Sequence, residues 1–343
     1  MYQTAIHRKP QKSSANLFAA LLLACIVCLY VFSNYAPGTI FHHPKLQLFK
    51  TMFLSIIIEA MPFILIGVFI SAILQVFVSE REIRRIIPRN PILGILTASV
   101  LGIIFPICEC GMVPAIRKLI RKGMPIHVAT TFILVGPILN PIVFWSTLTA
   151  FRNRPEMVYT RMGLAFIVAL LIGLIVYRFI KSNPLRWSEK DSVLGEDNHH
   201  HDHSPEGTNK LVSVMGHAIE EFFEMGKYLM FGAFLVGILQ TFVSQDSLVA
   251  VGQGEGSANL LMMGLGFLLS LCSTSDAFVA QSFISTFSKG SLIAFMVFGP
   301  MLNLKGLLMM LAVFKTKFVV FLSLLIIIFV YAGSLILEYT VLK

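Results

Sequence analysis

Apolar residues in this chain come in long unbroken runs. Neither the alternation of a half-buried strand nor the one-sided stripe of a surface helix accounts for them. Runs near 16–36, 51–78, 124–150, 158–180, 217–243, 291–314 and 317–338 approach or exceed the roughly 20 residues that cross a hydrocarbon core. Two shorter limbs, 91–107 and 258–271, end in polar residues where a membrane helix should continue. The first runs into Pro106-Ile107-Cys108-Glu109-Cys110-Gly111-Met112-Val113-Pro114, the second into Leu271-Cys272-Ser273-Thr274-Ser275-Asp276. Return limbs, 112–122 and 277–288, follow each break, and the 124–150 helix carries its own interruption at Gly136-Pro137-Ile138-Leu139-Asn140-Pro141. The pattern predicts an all-α polytopic membrane protein in four parts. These are an N-terminal segment with a first transmembrane helix (1–46), a membrane repeat (47–180), a polar cytoplasmic linker (181–214) and a second membrane repeat (215–343).

The repeat is legible in matched landmarks. Glu59, Gly67, Phe69 and Gln75 align with Glu224, Gly232, Phe234 and Gln240. Cys108 matches Cys272, and Gly136-Pro137-Ile138-Leu139-Asn140 matches Gly299-Pro300-Met301-Leu302-Asn303. Charge then orients the halves. Basic residues flank both ends of 91–122 (Arg81, Arg84, Arg85, Arg89; Arg117, Lys118, Arg121, Lys122), which makes it a re-entrant hairpin entered from the cytoplasm. Flanks 244–257 and 285–290 hold one basic residue, Lys289, so the second hairpin enters from outside. Three crossings and one hairpin per half give inverted-topology repeats, whose broken helices meet at midplane in many transporters. On this scheme Arg152, Arg154 and Arg161 form an external basic loop against the rule, and 91–107 and 258–271 as complete spans is the competing topology.

Composition agrees: 56% of 343 residues are hydrophobic and 13% charged, against about a quarter charged in soluble domains. The net charge of +9 sits in loops beside apolar spans, where it sets orientation and meets anionic lipid rather than nucleic acid. Five cysteines are too few for a disulfide framework. Arg8, Lys9 and Lys12 precede the run Leu17–Phe32 as in a signal peptide, but Cys28-Leu29-Tyr30 offers no small-residue cleavage site, so an uncleaved helix is expected. Cys25 and Cys28, one turn apart, read as packing residues.

The two breaks carry the candidate chemistry. Cys108 and Cys110 can present soft sulfur to a zinc-like cation or a trivalent metalloid. With Pro114 in the first turn of the return limb, free backbone N–H groups would favour thiolate at the tip, beside Glu109. Cys272, Ser273, Thr274, Ser275 and Asp276 supply ligands opposite, and an intramembrane Asp is functional by default. Asn140 and Asn303 follow Gly-Pro kinks and are expected to line the path, while Lys305 either neutralises Asp276 or snorkels. Glu59 and Glu224 read as favourable helix-dipole placements. His199, His200, His201 and His203 form a metal-binding tract in the linker. No cofactor is expected beyond a transported or linker-bound metal ion.

The breaks and the paired Gly-Pro-x-Leu-Asn strings, in order, resemble the YraQ/ArsP-type predicted permeases over about 47–338. The resemblance implies a multi-pass permease of the bacterial cell membrane. Some members are similar to methylarsenite exporters. Others resemble one subunit of a two-component permease linked to metal homeostasis, which makes a second membrane subunit or a further copy of the chain an expected partner, besides lipid and a small solute. The expected function is movement of a soft metal ion or trivalent metalloid by alternating access, through a Cys/Asp/Asn midplane site. The chain has no Gly-x-x-x-x-Gly-Lys-Ser/Thr loop, so transport would be secondary or facilitated. One rival is an enzyme with Cys108 as nucleophile. It lacks a base, since His127 and His217 fall near the cytoplasmic edge, and no enzyme is expected. The other rival is a metal-sensing or partner-binding subunit acting through the His tract; it predicts that deleting 198–203 abolishes function while Cys108→Ser does not.

Overall fold

A computed structural model describes residues 44–77, 87–88, 90–104, 109–180, 184–186, 209–242 and 257–341. The expected first helix, 16–36, lies outside the described residues. The chain divides into 1–50 and a larger compact unit, 51–343, to which all contacts below belong. The described residues form twelve helices: α1 Pro44–Phe77, α2 Pro91–Ile104, α3 Glu109–Arg121, α4 Ile126–Val135, α5 Pro141–Ala150, α6 Pro155–Phe179, α7 Asn209–Phe242, α8 Ser257–Leu269, α9 Ser275–Ser282, α10 Lys289–Met301, α11 Leu304–Val313 and α12 Thr316–Thr340. The second six repeat the order of the first. Both sets open on a 34-residue helix and close on a 10-residue helix followed by one of 25.

Local chemistry fixes these boundaries. Asn140 caps α5, with Pro141 at the first helical position, where a missing N–H is no loss. Asn303 caps α11 and Ser288 caps α10 in the same way. Helix α6 starts with Pro155 and Glu156 and ends with Arg178, matching both ends of its dipole. Among the described residues, four stretches are long and apolar enough to cross a membrane: Lys45–Phe69, Pro155–Phe179, Lys289–Val313 and Thr316–Thr340. The α2 and α8 limbs, 14 and 13 residues, rise only about 20 Å each. Two expectations are corrected. Helix α3 starts at Glu109, so Pro114 lies inside it rather than in its first turn, and cannot donate to the carbonyl of Cys110. The second return limb stops at Ser282, followed by turns, instead of reaching 288.

Helix α10 is the centre, with every residue from Gly290 to Met301 buried. Each half holds a glycine contact between its first limb and its Gly-Pro kink. A Cβ on Gly102 would lie 3.2 Å from the Gly136 Cα, and one on Gly266 would lie 3.5 Å from the Gly299 Cα. Across the halves the packing is reciprocal: α3 packs on α11, and α9 packs on α5. Leu185 bridges Phe314, and Arg186 N–H and Lys315 N–H donate to Val313 and Pro184 carbonyls at 2.8 Å, tying the start of the linker to the α11–α12 joint. At another edge, Lys289 Nζ lies 3.7 Å from Glu156 Oε1.

Candidate functional site

The second break is built by interrupting backbone hydrogen bonding inside the chain. Helix α8 ends at Leu269, and Ser270 after it has a φ of 48°, the left-handed conformation that closes many helices, usually on glycine. The chain then runs irregularly to α9. The amides of Ser275 and Asp276 donate to the Cys272 carbonyl at 2.9 and 3.0 Å, and Thr274 Oγ1 lies 3.6 Å from Cys272 Sγ. Two outside side chains hold the loop. Ser146 of α5 donates to the Thr274 carbonyl at 2.6 Å, and Arg161 of α6 donates to the Ser273 carbonyl at 2.9 Å.

Arg161 is the residue that sequence reasoning misplaced. Counted as part of an external basic loop, it lies two turns inside α6 and is fully buried; Arg152 and Arg154 alone are exposed at the α5–α6 turn. Its Nη2 lies 2.9 Å from Asp276 Oδ2, and its Nη1 donates to Thr147 Oγ1 at 2.8 Å. A buried guanidinium needs a carboxylate, and Asp276, 2% exposed, supplies it. Arg161 supplies the pairing with Asp276 that was one of two roles open to Lys305, and Lys305 is itself buried in the first turn of α11. Glu59 also joins the site: Ser275 Oγ donates to Glu59 Oε1 at 3.2 Å, so this acid meets the break rather than serving a helix end. A transmembrane Arg paired with an Asp carried by a broken helix was the missed signal.

Asn140 and Asn303 occupy matched places and use their amides the same way. Asn140 Oδ1 accepts from Val143 N–H at 2.9 Å, and Nδ2 donates to the carbonyls of Gly136 and Pro137 at 3.2 and 3.4 Å. Asn303 Oδ1 accepts from Gly306 N–H at 2.7 Å, and Nδ2 donates to the Gly299 carbonyl at 2.9 Å. Each amide thus satisfies carbonyls left open where the preceding helix ends and caps the next helix.

At the first break, Glu109 and Cys110 open α3, and Gly111 meets α1 closely enough that a Cβ on Gly67 would fall 2.3 Å from the Gly111 Cα. Cys108 lies outside the described residues, as do His199, His200, His201 and His203 and the side chains of Glu109, Cys110 and Glu224.

Broken apolar helices around a buried ion pair, beside spans long enough for a bilayer, define a polytopic α-helical membrane protein. The chain belongs to the family described as "Predicted permease", whose profile matches residues 45–339. It is 50% identical over 291 residues to the Bacillus subtilis "UPF0718 protein YcgR", covering 84% of this chain and 96% of that one. It is 38% identical over 283 residues to the Streptococcus mutans "Putative two-component membrane permease complex subunit", covering 82% of this chain and 92% of the relative. No solved structure matches it.

Proposed function

We propose that the chain is a permease that moves a small solute by alternating access between two inverted repeats. The solute site lies where the breaks converge, with Cys108, Glu109 and Cys110 on one side and Cys272 to Asp276 on the other. The observation that carries this reading is the fully buried Arg161–Asp276 pair, which holds the second break from outside its own repeat. A buried pair is weak evidence for stability and is costly at membrane depth, so its place at a helix break argues for use. Limbs of about 20 Å favour re-entrant hairpins over full spans of a roughly 30 Å core. The reciprocal packing of α3 on α11 and α9 on α5 favours a pseudo-two-fold relation between halves.

Charge bears on the substrate. Arg161 cancels the charge of Asp276 and leaves Glu59, bonded to Ser275, as the one acid of this break among the described residues. That is too little charge for a bare divalent cation, while the hydroxyls of Ser146, Thr274 and Ser275 and the thiol of Cys272 suit an uncharged solute that exchanges hydroxyl groups for sulfur. A trivalent metalloid such as an organoarsenical is therefore favoured over zinc. The protein is proposed to act without catalysis and without a resident cofactor, in a bacterial cell membrane. The 184–186 and 313–315 edge, next to Lys315 and Lys317, would face the cytoplasm with the linker and N-terminus. The Streptococcus mutans relative's name supports a second subunit as partner.

The test is a bacterial strain sensitive to both methylarsenite and Zn²⁺, expressing the chain. Altered tolerance to methylarsenite, in either direction, that Cys108→Ser/Cys110→Ser abolishes supports the reading. Altered tolerance to Zn²⁺ alone contradicts the neutral-solute assignment. A loss of function on deleting 198–203, with the cysteine variant unaffected, favours the partner-binding alternative.

A further inference from the structure

A second buried polar cluster lies away from the breaks, where α8, α10 and α12 pack together. Asn259 and Ser334 are both fully buried. Asn259 Nδ2 lies 3.3 Å from Ser334 Oγ and 3.4 Å from Glu338 Oε2, while its Oδ1 has no hydrogen-bond partner among the described residues. Both separations exceed the usual 2.9–3.0 Å of an N–H···O bond. Glu338 is seated against Gly290, where a Cβ would fall 2.6 Å from Oε2. The cation next to that glycine, Lys289, turns to Glu156 instead.

The first repeat contains the same junction without a carboxylate or an amide. Aligned on Gly102/Gly266, Gly136/Gly299 and the paired 25-residue helices, the equivalents of Asn259, Gly290, Ser334 and Glu338 are Ile95, His127, Gly173 and Tyr177. They meet in the same pairs: a Cβ on Gly173 would lie 3.1 Å from Ile95 Cδ1, and the His127 and Tyr177 rings are 5.0 Å apart. The architecture therefore closes this junction with an isoleucine, a glycine, two rings and the Thr131 hydroxyl, which spends its proton on the His127 carbonyl at 2.9 Å. An Asn, a Ser and a Glu in its place cost desolvation that the fold does not require.

We infer that Asn259, Ser334 and Glu338 form a binding site for a small monovalent cation of sodium size. An Asn amide is nearly isosteric end for end. Turned about its last side-chain bond, Asn259 places Oδ1 on the two oxygens that Nδ2 now faces. Three oxygens with edges of 3.3 and 3.4 Å repel one another when empty. They fit a hard cation held at ~2.4 Å with near-right angles, whose coordination edges are roughly 3.4 Å. One carboxylate matches one positive charge, and Ser334 keeps its lone pairs available because its own proton goes to the Tyr331 carbonyl at 2.9 Å. Helix α8 carries Asn259 and leads into the second break, so occupancy of the site offers a Na⁺ gradient a hold on the second repeat.

The test is ²²Na⁺ retention by the purified full-length chain in detergent, with choline chloride keeping ionic strength constant. The site predicts saturable retention that unlabelled NaCl displaces and choline does not. Glu338→Gln and Asn259→Leu should each cut retention by at least about tenfold, since each removes a direct ligand. Ser323→Ala, on the same helix but outside the junction, should keep it. Thermal unfolding in choline medium establishes that each variant is folded, and Na⁺ should raise the wild-type Tm by several degrees through binding to the native state alone. Absence of saturable retention by the wild type overturns the inference, whether or not any variant folds. So does a folded Glu338→Gln protein that retains Na⁺ like the wild type.

Discussion

Arg161 and Asp276 stand 115 positions apart, on helices from different halves, and each makes the other tolerable inside the protein. Removing one partner strands a buried charge. Arg161→Gln and Asp276→Asn should each lower stability by about 3–5 kcal/mol in thermal or denaturant unfolding of the purified chain. Arg161→Met/Asp276→Leu should recover most of that loss, because it removes both charges together, yet it should not restore transport. A double variant that transports like the wild type would reduce the pair to scaffolding. The asparagines belong to the same scale. Asn303→Ala and Asn140→Ala each lose a helix cap, about 1 kcal/mol, with the larger drop at Asn303, whose contacts of 2.7 and 2.9 Å are tighter. Residue types at the breaks were legible because Cys, Asp and Asn do not belong in an apolar run. Their partners were not. Nothing local distinguishes Arg161 from Arg152 or Arg154, since burial is decided by how far α6 extends and by what packs on it. Glu59 was likewise read as a helix-end acid because Ser275 lies 216 positions away.

At the scale of the element, glycine and proline set where helices touch and where they break. The α1–α3 crossing rests on Gly67 against Gly111, backbone to backbone. Gly67→Ala must push the two helices apart and should cost at least about 1–3 kcal/mol by overpacking. Gly163→Ala on α6 meets nothing within 4 Å and should be neutral or stabilising by up to about 1 kcal/mol from helix propensity. Melting temperatures of the two variants side by side check the contrast. Most helix ends could be read from sequence because Asn140-Pro141, Pro155 and Asn303 are strong start signals. The start of α3 could not, because Pro114 mimics a first-turn proline although the helix begins five residues earlier, at Glu109. Nor could the early end of α9, since Phe283 to Phe287 keep an apolar pattern while the backbone turns.

At the scale of the molecule, the second six helices follow the order of the first, each half holds one glycine contact, and α3 packs on α11 as α9 packs on α5. The paired Gly-Pro-x-Leu-Asn strings made the shared helix order readable. The reciprocal packing was not readable, because it depends on contacts between halves that no local pattern encodes. The two breaks differ in chemistry: a cysteine pair at one, an acid held by arginine at the other. The central claim is that solute passes where these two breaks converge. Its most direct test is flux of methylarsenite across proteoliposomes holding the purified chain, comparing wild type, Cys108→Ser/Cys110→Ser and Arg161→Met/Asp276→Leu. The account predicts saturable flux in the wild type and loss of at least about tenfold in both variants, with the second still folded, corresponding to about 1.4 kcal/mol or more of lost stabilisation. Wild-type flux in both folded variants would contradict it and move the path away from the breaks.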